Sequence, residues 1–277
     1  MSVRELLDAA ARRLSSDEAR VDAETLLAHV LGRTRAWLFA WPEHEPDASQ
    51  VAQFERFVDA RERGEPVAYL IGRRGFWTFD LEVTPAVLIP RPETELLVEL
   101  ALERLPRGAS KRVADLGTGS GAIALALASE RQHARVLATD ASADALAVAR
   151  ANAARLGLRN VEFAQGDWCA ALGDVVFDVI VSNPPYIAEG DAHLEQGDLR
   201  FEPASALSSG ADGLDAIRAI VAQAPAHLAA DGWLLLEHGW NQASSVRALL
   251  ESSGYREVGS FRDNARHERL TVGRRPR

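Results

Sequence analysis

The chain has 277 residues, enough for one large and one small domain, and its 47% hydrophobic and 26% charged residues are ordinary for a folded globular protein. Its formal charge of −9 repels phosphate backbones and argues against nucleic acid as the main partner. A single cysteine, Cys169, excludes an internal disulfide framework and any metal site built from several cysteines.

The beginning of the chain and its hydropathy predict a cytoplasmic protein without membrane contact. Charged side chains such as Arg4, Asp8 and Arg12 interrupt the apolar residues of the first fourteen positions, unlike in a signal peptide. We find no window that approaches the roughly 18 consecutive apolar residues of a membrane span.

Residues 1–65 predict a small helical domain. Apolar residues recur at helical spacing between Leu6 and Leu14 and again over 26–31, and a further helix is predicted over 48–63. Residues 66–92 predict a β-hairpin linker, because glycines and a proline separate three short β-prone runs, at 68–71, 76–83 and 86–89.

Residues 93–277 alternate between helix and strand periods. Helices are predicted at 93–104, 121–131, 143–156 and 215–229. Strands are predicted at 112–116, 135–139, 161–164, 176–181 and 232–237, and two further β-prone runs at 257–261 and 269–272 could add an antiparallel edge. This alternation predicts an α/β fold in which helices cover both faces of a mostly parallel sheet.

A glycine-rich turn joins the first of these strands to a helix. It consists of Gly117, Thr118, Gly119, Ser120 and Gly121. Glycines can adopt positive φ and let a ligand approach the backbone closely. Asp140 ends the next strand, where a carboxylate can accept both hydroxyls of a ribose or, alternatively, cap the following helix.

The loop and Asp140 together predict a nucleoside ligand. The spacing Gly-x-Gly-x-Gly differs from the Gly-x-Gly-x-x-Gly of dinucleotide-binding proteins and favours S-adenosylmethionine over NAD. Asp167 and Trp168 follow the third strand at the same sheet edge, where the indole can stack on adenine and the carboxylate can accept from its exocyclic amine. A core position is the alternative for Trp168.

Asn183, Pro184, Pro185 and Tyr186 follow the strand at 176–181 and are predicted to be catalytic. The prolines remove two N–H donors and keep the segment out of helix and sheet, so its carbonyls are free to accept. A planar –NH2 group fits, with its hydrogens on the Asn183 side-chain oxygen and the Pro184 carbonyl and with Tyr186 stacked on its plane. Such orientation supports direct attack on a sulfonium methyl and requires no metal.

These motifs resemble class I S-adenosylmethionine-dependent methyltransferases that act on planar nitrogen, among which adenine-N6 and glutamine-N5 enzymes share the tetrapeptide. The segments 88–95, 200–203 and 237–239 and the helical N-terminal region are similar to the release factor glutamine methyltransferases, the PrmC/HemK family. The resemblance implies a Rossmann-like, seven-stranded methyltransferase sheet and S-adenosylmethionine as the methyl donor. The implied acceptor is the side-chain amide (N5) of the glutamine in the Gly-Gly-Gln motif of class I peptide-chain release factors.

The resemblance also implies roles for individual residues. Gly117 to Gly121, Asp140, Trp168 and Asn183 would contact the cofactor, residues 183–186 would hold the substrate amide, and the helical domain would grip the release factor. Arg91 and Glu93 are expected at the pocket mouth, with capping of the following helix as the alternative for Glu93, and His238 is expected to be structural.

Three alternatives remain open. Adenine-N6 methylation of DNA or RNA uses the same tetrapeptide, although the acidic charge and the lack of a basic stripe count against it. A nucleoside-dependent binding module without chemistry and a nicotinamide oxidoreductase are the others. We expect a monomer that binds neither nucleic acid nor membranes.

Overall fold

The computed structural model describes residues 1–276, which divide into two compact units. The N-terminal unit comprises Met1–Arg73 and Gln196–Phe201. The sheet unit comprises Arg74–Glu195 and the chain from Glu202 onward. The predicted three-part division, with boundaries at 65 and 92, stays a proposal.

The N-terminal unit is helical, as the apolar spacing predicts. Its helices are α1 (Val3–Arg13), α2 (Ala19–Leu31), α3 (Arg35–Ala40), α4 (Ala48–Glu62) and α5 (Val67–Ile71). Ser2 and Asp47 cap α1 and α4, each in a reciprocal capping box with the residue three positions later. Arg61 donates to Asp22 at 2.8 Å and to Asp198 at 2.7 Å, which ties Gln196–Phe201 to this unit.

The predicted strand at 68–71 is wrong, because this segment is helix α5. Pro66 precedes the helix, and Gly72 ends it in the left-handed conformation at φ +70°. Val67, Leu70 and Ile71 pack against the buried core of α1, α2 and α4. Packing at helical spacing therefore outweighs the β propensity of this apolar run.

A two-stranded hairpin begins the sheet unit, formed by β1 (Arg73–Phe76) and β2 (Phe79–Glu82). The Trp77 N–H donates to Glu95 at 2.8 Å, and its indole N–H donates to Glu130 at 3.0 Å. The predicted strand at 86–89 is wrong: the Val87 N–H donates to the Thr84 carbonyl at 3.0 Å and closes a turn.

The main sheet has seven strands among the described residues, in the order β5-β4-β3-β6-β7-β9-β8. In chain order its strands are β3 (Arg112–Leu116), β4 (Arg135–Asp140), β5 (Val161–Gln165), β6 (Phe177–Ser182), β7 (Leu228–Glu237), β8 (Arg256–Arg262) and β9 (Glu268–Arg274). Strands β3 to β7 run parallel, and β9 is antiparallel to its neighbours β7 and β8. The predicted antiparallel strand is therefore confirmed, although it lies one place inside the edge.

Helices cover both faces of this sheet. They are α6 (Glu95–Glu103), α7 (Ala122–Glu130), α8 (Ala143–Leu156), α9 (Asp215–His227) and α10 (Ala243–Ser252). One buried apolar cluster contains residues of α6, α7 and the sheet, and a second contains residues of α9, α10 and the sheet. The strand order reverses between β3 and β6, and ligands of open α/β sheets bind at the carboxyl ends of the strands beside such a point.

Across residues 1–276, the structure contains no helix whose length and apolar character would let it span a bilayer.

Candidate active site

A cavity of about 530 Å³ lies in the sheet unit, where segments that follow β3, β4, β5 and β6 meet. This volume is in the range of small-molecule sites. Most of the residues predicted from the sequence line it: Gly117, Thr118, Gly119, Ser120, Asp140, Asp167, Trp168, Asn183 and Pro185. Gly121, Pro184 and Tyr186 are not among the lining residues.

The glycine loop adopts backbone conformations that favour glycine. Gly117, Gly119 and Gly121 have φ of +73°, +56° and +88°. A Cβ on Gly119 would have no protein atom within 4 Å, so a side chain there would occupy open space beside the cavity. A Cβ on Gly121 would lie 2.9 Å from Leu125 and 3.3 Å from Ala149, so Gly121 serves the packing of α7 against α8.

Asp140 connects β4 to the glycine loop. Its Oδ2 accepts from the Gly119 N–H and its Oδ1 from the Ser142 N–H, both at 2.9 Å. Ser142, and not Asp140, is the N-cap of α8, since its hydroxyl accepts from the Ala145 N–H at 3.1 Å. Each Asp140 oxygen keeps a further lone pair, so the carboxylate can still accept the hydroxyls of a ribose.

Trp168 belongs both to the core and to the cavity wall. It is half-buried, packs against the apolar cluster that includes Cys169, and also lines the cavity. A Cβ on Gly117 would lie 3.4 Å from the Trp168 ring. Asp167, which is exposed, lines the same wall.

The segment 183–186 leaves β6 at the carboxyl edge of the sheet. The Asn183 Nδ2 donates to the Thr94 hydroxyl at 3.1 Å, and the Tyr186 carbonyl accepts from Gln242 Nε2 at 2.9 Å. A Cβ on Gly213 would lie 2.2 Å from the Tyr186 carbonyl oxygen, so the adjacent loop can approach this closely only through a glycine. Burial, followed by the nearby Glu237 carboxylate, raises the pKa of the Tyr186 hydroxyl, which is therefore protonated at neutral pH.

Two buried polar side chains next to Asn183 were given no role by the sequence. Thr94 is 4% exposed and Glu237 is 2% exposed. Burial raises the pKa of Glu237 to about 7, although hydrogen bonds from Thr94 and Asn183 oppose the shift. An acidic residue that ends an apolar strand at the site edge is the signal that could have drawn attention to Glu237.

Arg91 and Glu202 form an ion pair at the cavity wall. One Arg91 guanidinium nitrogen lies 2.7 Å and 2.8 Å from the two Glu202 oxygens, and the Glu202 side chain is fully buried. Pro203, Ser205 and Ala206 continue from this anchor along the cavity. Glu93, expected beside Arg91 at the mouth, is exposed and does not line the cavity.

His238 has hydrogen-bond partners for both ring nitrogens. Nδ1 lies 2.9 Å from the Gly239 carbonyl and Nε2 lies 2.8 Å from the Thr271 hydroxyl, and the residue is fully buried. Burial lowers the pKa of its imidazole, which is therefore neutral at physiological pH. These contacts give it a structural position.

Asp115 lies under the glycine loop and is fully buried. Its Oδ2 accepts from the Thr118 hydroxyl at 2.7 Å and from the Ala124 N–H at 3.1 Å, while its Oδ1 has no hydrogen-bond partner within the described part of the chain. Burial raises the pKa of this carboxyl to about 7. The folded protein therefore holds the proton to a higher pH than the unfolded chain does, and the ionised carboxylate destabilises the fold.

We expect Asp115→Asn to gain stability relative to the unmodified protein as the pH rises. Ionisation of Asp115 costs the folded protein no stability below about pH 3.8, where the carboxyl is protonated in both states. The full cost is present above about pH 7, where the carboxyl is ionised in both states. Between about pH 5 and about pH 8, the difference in unfolding free energy should shift by about 2–3 kcal/mol in favour of the variant. Urea titrations of the ligand-free protein measure this difference in unfolding free energy. Asp174→Asn, which changes an exposed carboxylate, is the control. A difference that does not change with pH would contradict the assignment.

Comparisons with known proteins cover both units. Residues 5–72 match the family model "PrmC N-terminal domain", and residues 93–210 match "Methyltransferase small domain". A release factor glutamine methyltransferase of Xylella fastidiosa is 57% identical over 98% of this chain and 97% of its own length. One of Escherichia coli is 47% identical over 97% of each chain. The crystal structure of a methyltransferase from Pyrococcus furiosus, 20% identical, covers 73% of this chain and 91% of its own with a TM-score of 0.55, and supports the sheet fold.

Proposed function

The chain belongs to the release factor glutamine methyltransferase family, and from this we propose that it methylates class I peptide-chain release factors. The methyl group passes from S-adenosylmethionine to the side-chain amide nitrogen (N5) of the glutamine in their Gly-Gly-Gln motif. The observation that carries the proposal is the 57% sequence identity to one of these enzymes over 98% of the chain. The aligned length also spans the matches to both family models. The same relatives give no support to adenine-N6 methylation.

The cavity fits the cofactor in volume and chemistry. S-adenosylmethionine, when bound, supplies a methyl group on a positively charged sulfur. We propose that Gly119 gives it backbone access, that Asp140 accepts its ribose hydroxyls, and that Asp167 and Trp168 recognise its adenine. The remaining proposed contacts are Gly117, Thr118, Ser120 and Asn183, with Gly121 supporting the loop. The open space beside Gly119 supports this assignment.

The residues 183–186 act by orienting the substrate amide. The Asn183 side-chain oxygen accepts one amide hydrogen and the Pro184 carbonyl accepts the other, which fixes the nitrogen and draws electron density onto it. Positioning of this kind can supply about 7–11 kcal/mol of the barrier. The amide nitrogen would form the N–CH3 bond while the S–CH3 bond breaks, the electron pair of that bond would stay on the sulfur, and one amide proton would pass to solvent. The phenol of the half-buried Tyr186 stays uncharged and offers its ring to the amide plane.

We also propose that the helical N-terminal unit grips the release factor and that the protein acts in the cytoplasm as a monomer, without nucleic acid. Exposed Phe39 and Trp41 support contact with a protein surface, because they are 62% and 59% exposed. The charge of −9 supports the absence of nucleic acid. The single buried Cys169 supports a reducing compartment.

A panel of acceptors tests the proposed function. Labelled methyl from S-adenosylmethionine is offered with a bacterial class I release factor, with the same factor carrying alanine in place of the loop glutamine, and with an adenine-containing DNA duplex. Label on the first acceptor and on neither of the others is expected. Label on the duplex, or on the alanine variant, would contradict the proposal.

A further inference from the structure

Thr94, Asn183 and Glu237 form a polar cluster at the cavity wall, in which Thr94 and Glu237 are buried and Asn183 is half-buried. The parallel pairing of β6 with β7 sets Ser182 opposite Leu236, so Asn183 and Glu237 are the next pair at the sheet edge. Thr94, which ends a short 3-10 helix before α6, lies 3.1 Å from the Asn183 Nδ2 through its hydroxyl. The buried Glu237 carboxylate lies near both side chains, since hydrogen bonding from Thr94 and from Asn183 lowers its pKa against the effect of burial.

The chemistry of these groups fixes the direction of each hydrogen bond. An ionised carboxylate can only accept, so the single Thr94 hydroxyl hydrogen is donated to Glu237. The Thr94 oxygen is then an acceptor, and it receives one hydrogen of the Asn183 Nδ2. The second Nδ2 hydrogen of Asn183 is then available for donation to the Glu237 carboxylate. With both Nδ2 hydrogens engaged, the Asn183 Oδ1 is the amide atom left for the cavity, which this residue lines.

The opposite orientation of the Asn183 amide is costly in this cluster. A flipped amide would place Oδ1 against the Thr94 lone pair and the Glu237 carboxylate, which are all acceptors. Two hydrogen bonds would be lost among buried groups. The cavity would then face an Nδ2 donor, which cannot receive the N–H of a substrate amide.

We propose that Thr94 and Glu237 are positioning residues that hold the Asn183 amide with its Oδ1 toward the substrate. The inference rests on the proposed function, because only a substrate that donates an N–H requires an acceptor at this place. Thr94 also lines the cavity, but neither side chain has to touch the substrate for this role. Both act through Asn183.

The ionised form of Glu237 is the one that orients the cluster. When protonated, Glu237 can donate a hydrogen, and the Thr94 hydroxyl no longer has to point toward it. The charged groups that face Glu237 are Arg269, which favours its ionisation, and Glu93, which opposes it. Its Oε2 has no hydrogen-bond partner within residues 1–276. Methyl transfer should therefore decline as the pH falls through about 7, where the Glu237 pKa lies.

The hydroxyl of Thr94 is tested with Thr94→Val and Thr94→Ser. Valine keeps the shape and removes the hydroxyl, whereas serine keeps the hydroxyl. With a release factor as acceptor, Thr94→Val is expected to lower kcat by about 10–100-fold, and Thr94→Ser to stay within about threefold of the unmodified protein. The Kd for S-adenosylmethionine should change by less than about threefold in both variants.

The carboxylate of Glu237 is tested by a pH profile of kcat, which a merely structural role would not move. Glu237→Gln is expected to have a flat profile between about pH 6 and about pH 8 and a kcat about tenfold lower at the upper end. The control is Glu99→Gln, which removes an exposed carboxylate from α6 and should keep the declining profile of the unmodified protein. This measurement also serves if Thr94→Val does not fold.

Equal kcat in Thr94→Val and the unmodified protein would overturn the positioning role, and so would equal losses in the valine and serine variants. If the kcat of Glu237→Gln still declined at low pH, the positioning role of Glu237 would be overturned. An unmodified protein that methylates no release factor would instead overturn the proposed function on which the inference rests.

Discussion

Asn183→Ala is expected to lower kcat for methylation of a release factor by about 10²–10³-fold. The substitution removes the oxygen that accepts an amide hydrogen, and loss of one well-placed polar contact at a reacting group costs about this much in other enzymes. It also removes the hydrogen bond to Thr94. Single-turnover kinetics with saturating S-adenosylmethionine measure the chemical step directly.

The same variant should keep most of its affinity for S-adenosylmethionine, because Asn183 supplies only one of the proposed contacts. We expect the Kd to rise by at most about tenfold. Asn264→Ala, in the exposed turn between β8 and β9, is the matched control and should behave like the unmodified protein. Turnover near the unmodified level in Asn183→Ala would remove the assigned role, whereas a folded variant that loses only cofactor binding would move Asn183 out of the catalytic step.

Gly119→Val is expected to weaken S-adenosylmethionine binding by at least about 100-fold. The new side chain would stand in the open space beside the cavity, where no protein atom lies within 4 Å of a Cβ. It would block the approach of a ligand to the backbone and disturb the Gly119 N–H that donates to Asp140 at 2.9 Å. Calorimetric titration with the cofactor gives the Kd.

Gly108→Val separates this effect from backbone strain. Gly108 also has a positive φ, at +79°, and a Cβ there also meets no atom within 4 Å, but the residue does not line the cavity beside the glycine loop. Both variants should therefore lose comparable stability, about 1–2 kcal/mol, while only Gly119→Val loses binding. Equal affinity for S-adenosylmethionine in Gly119→Val and Gly108→Val would show that the glycine loop does not bind the cofactor.

Strong local patterns allowed much of the sheet unit to be predicted. The helix predicted over 143–156 is α8 (Ala143–Leu156), and the strand predicted over 112–116 is β3. The apolar periodicity of these segments ends at clear signals, such as the Ser142 cap and Gly157 in the left-handed conformation. Local sequence and tertiary packing agree there, so periodicity alone is sufficient.

Short or polar segments could not be assigned in this way. Helix α10 was not predicted, since its sequence contains three serines and only Ala243, Val246 and Leu250 are buried. Segment 68–71 has a β-prone composition, yet its packing makes it α5. In both cases packing against neighbouring elements determines the structure, and the local composition alone does not show that packing.

The site could be predicted only as far as its motifs are contiguous. The glycine loop, Asp140 and Asn183 were identified in the sequence, and one cavity is lined by Asp140, Asn183 and the loop residues Gly117 to Ser120. The contact between Thr94 and Asn183 joins residues 89 positions apart, and no local spacing encodes it. The buried state of Glu237 depends on pairing with β6 and β9, so its raised pKa also required the structure.

Site-resolved mass spectrometry of a class I release factor, after incubation with this protein and S-adenosylmethionine, identifies the residue that receives the methyl group. We expect one added methyl group, on the side-chain amide of the Gly-Gly-Gln glutamine, in the reaction with the unmodified protein and its near absence with Asn183→Ala. An unmodified loop glutamine after prolonged incubation, or a methyl group on another residue instead, would contradict it.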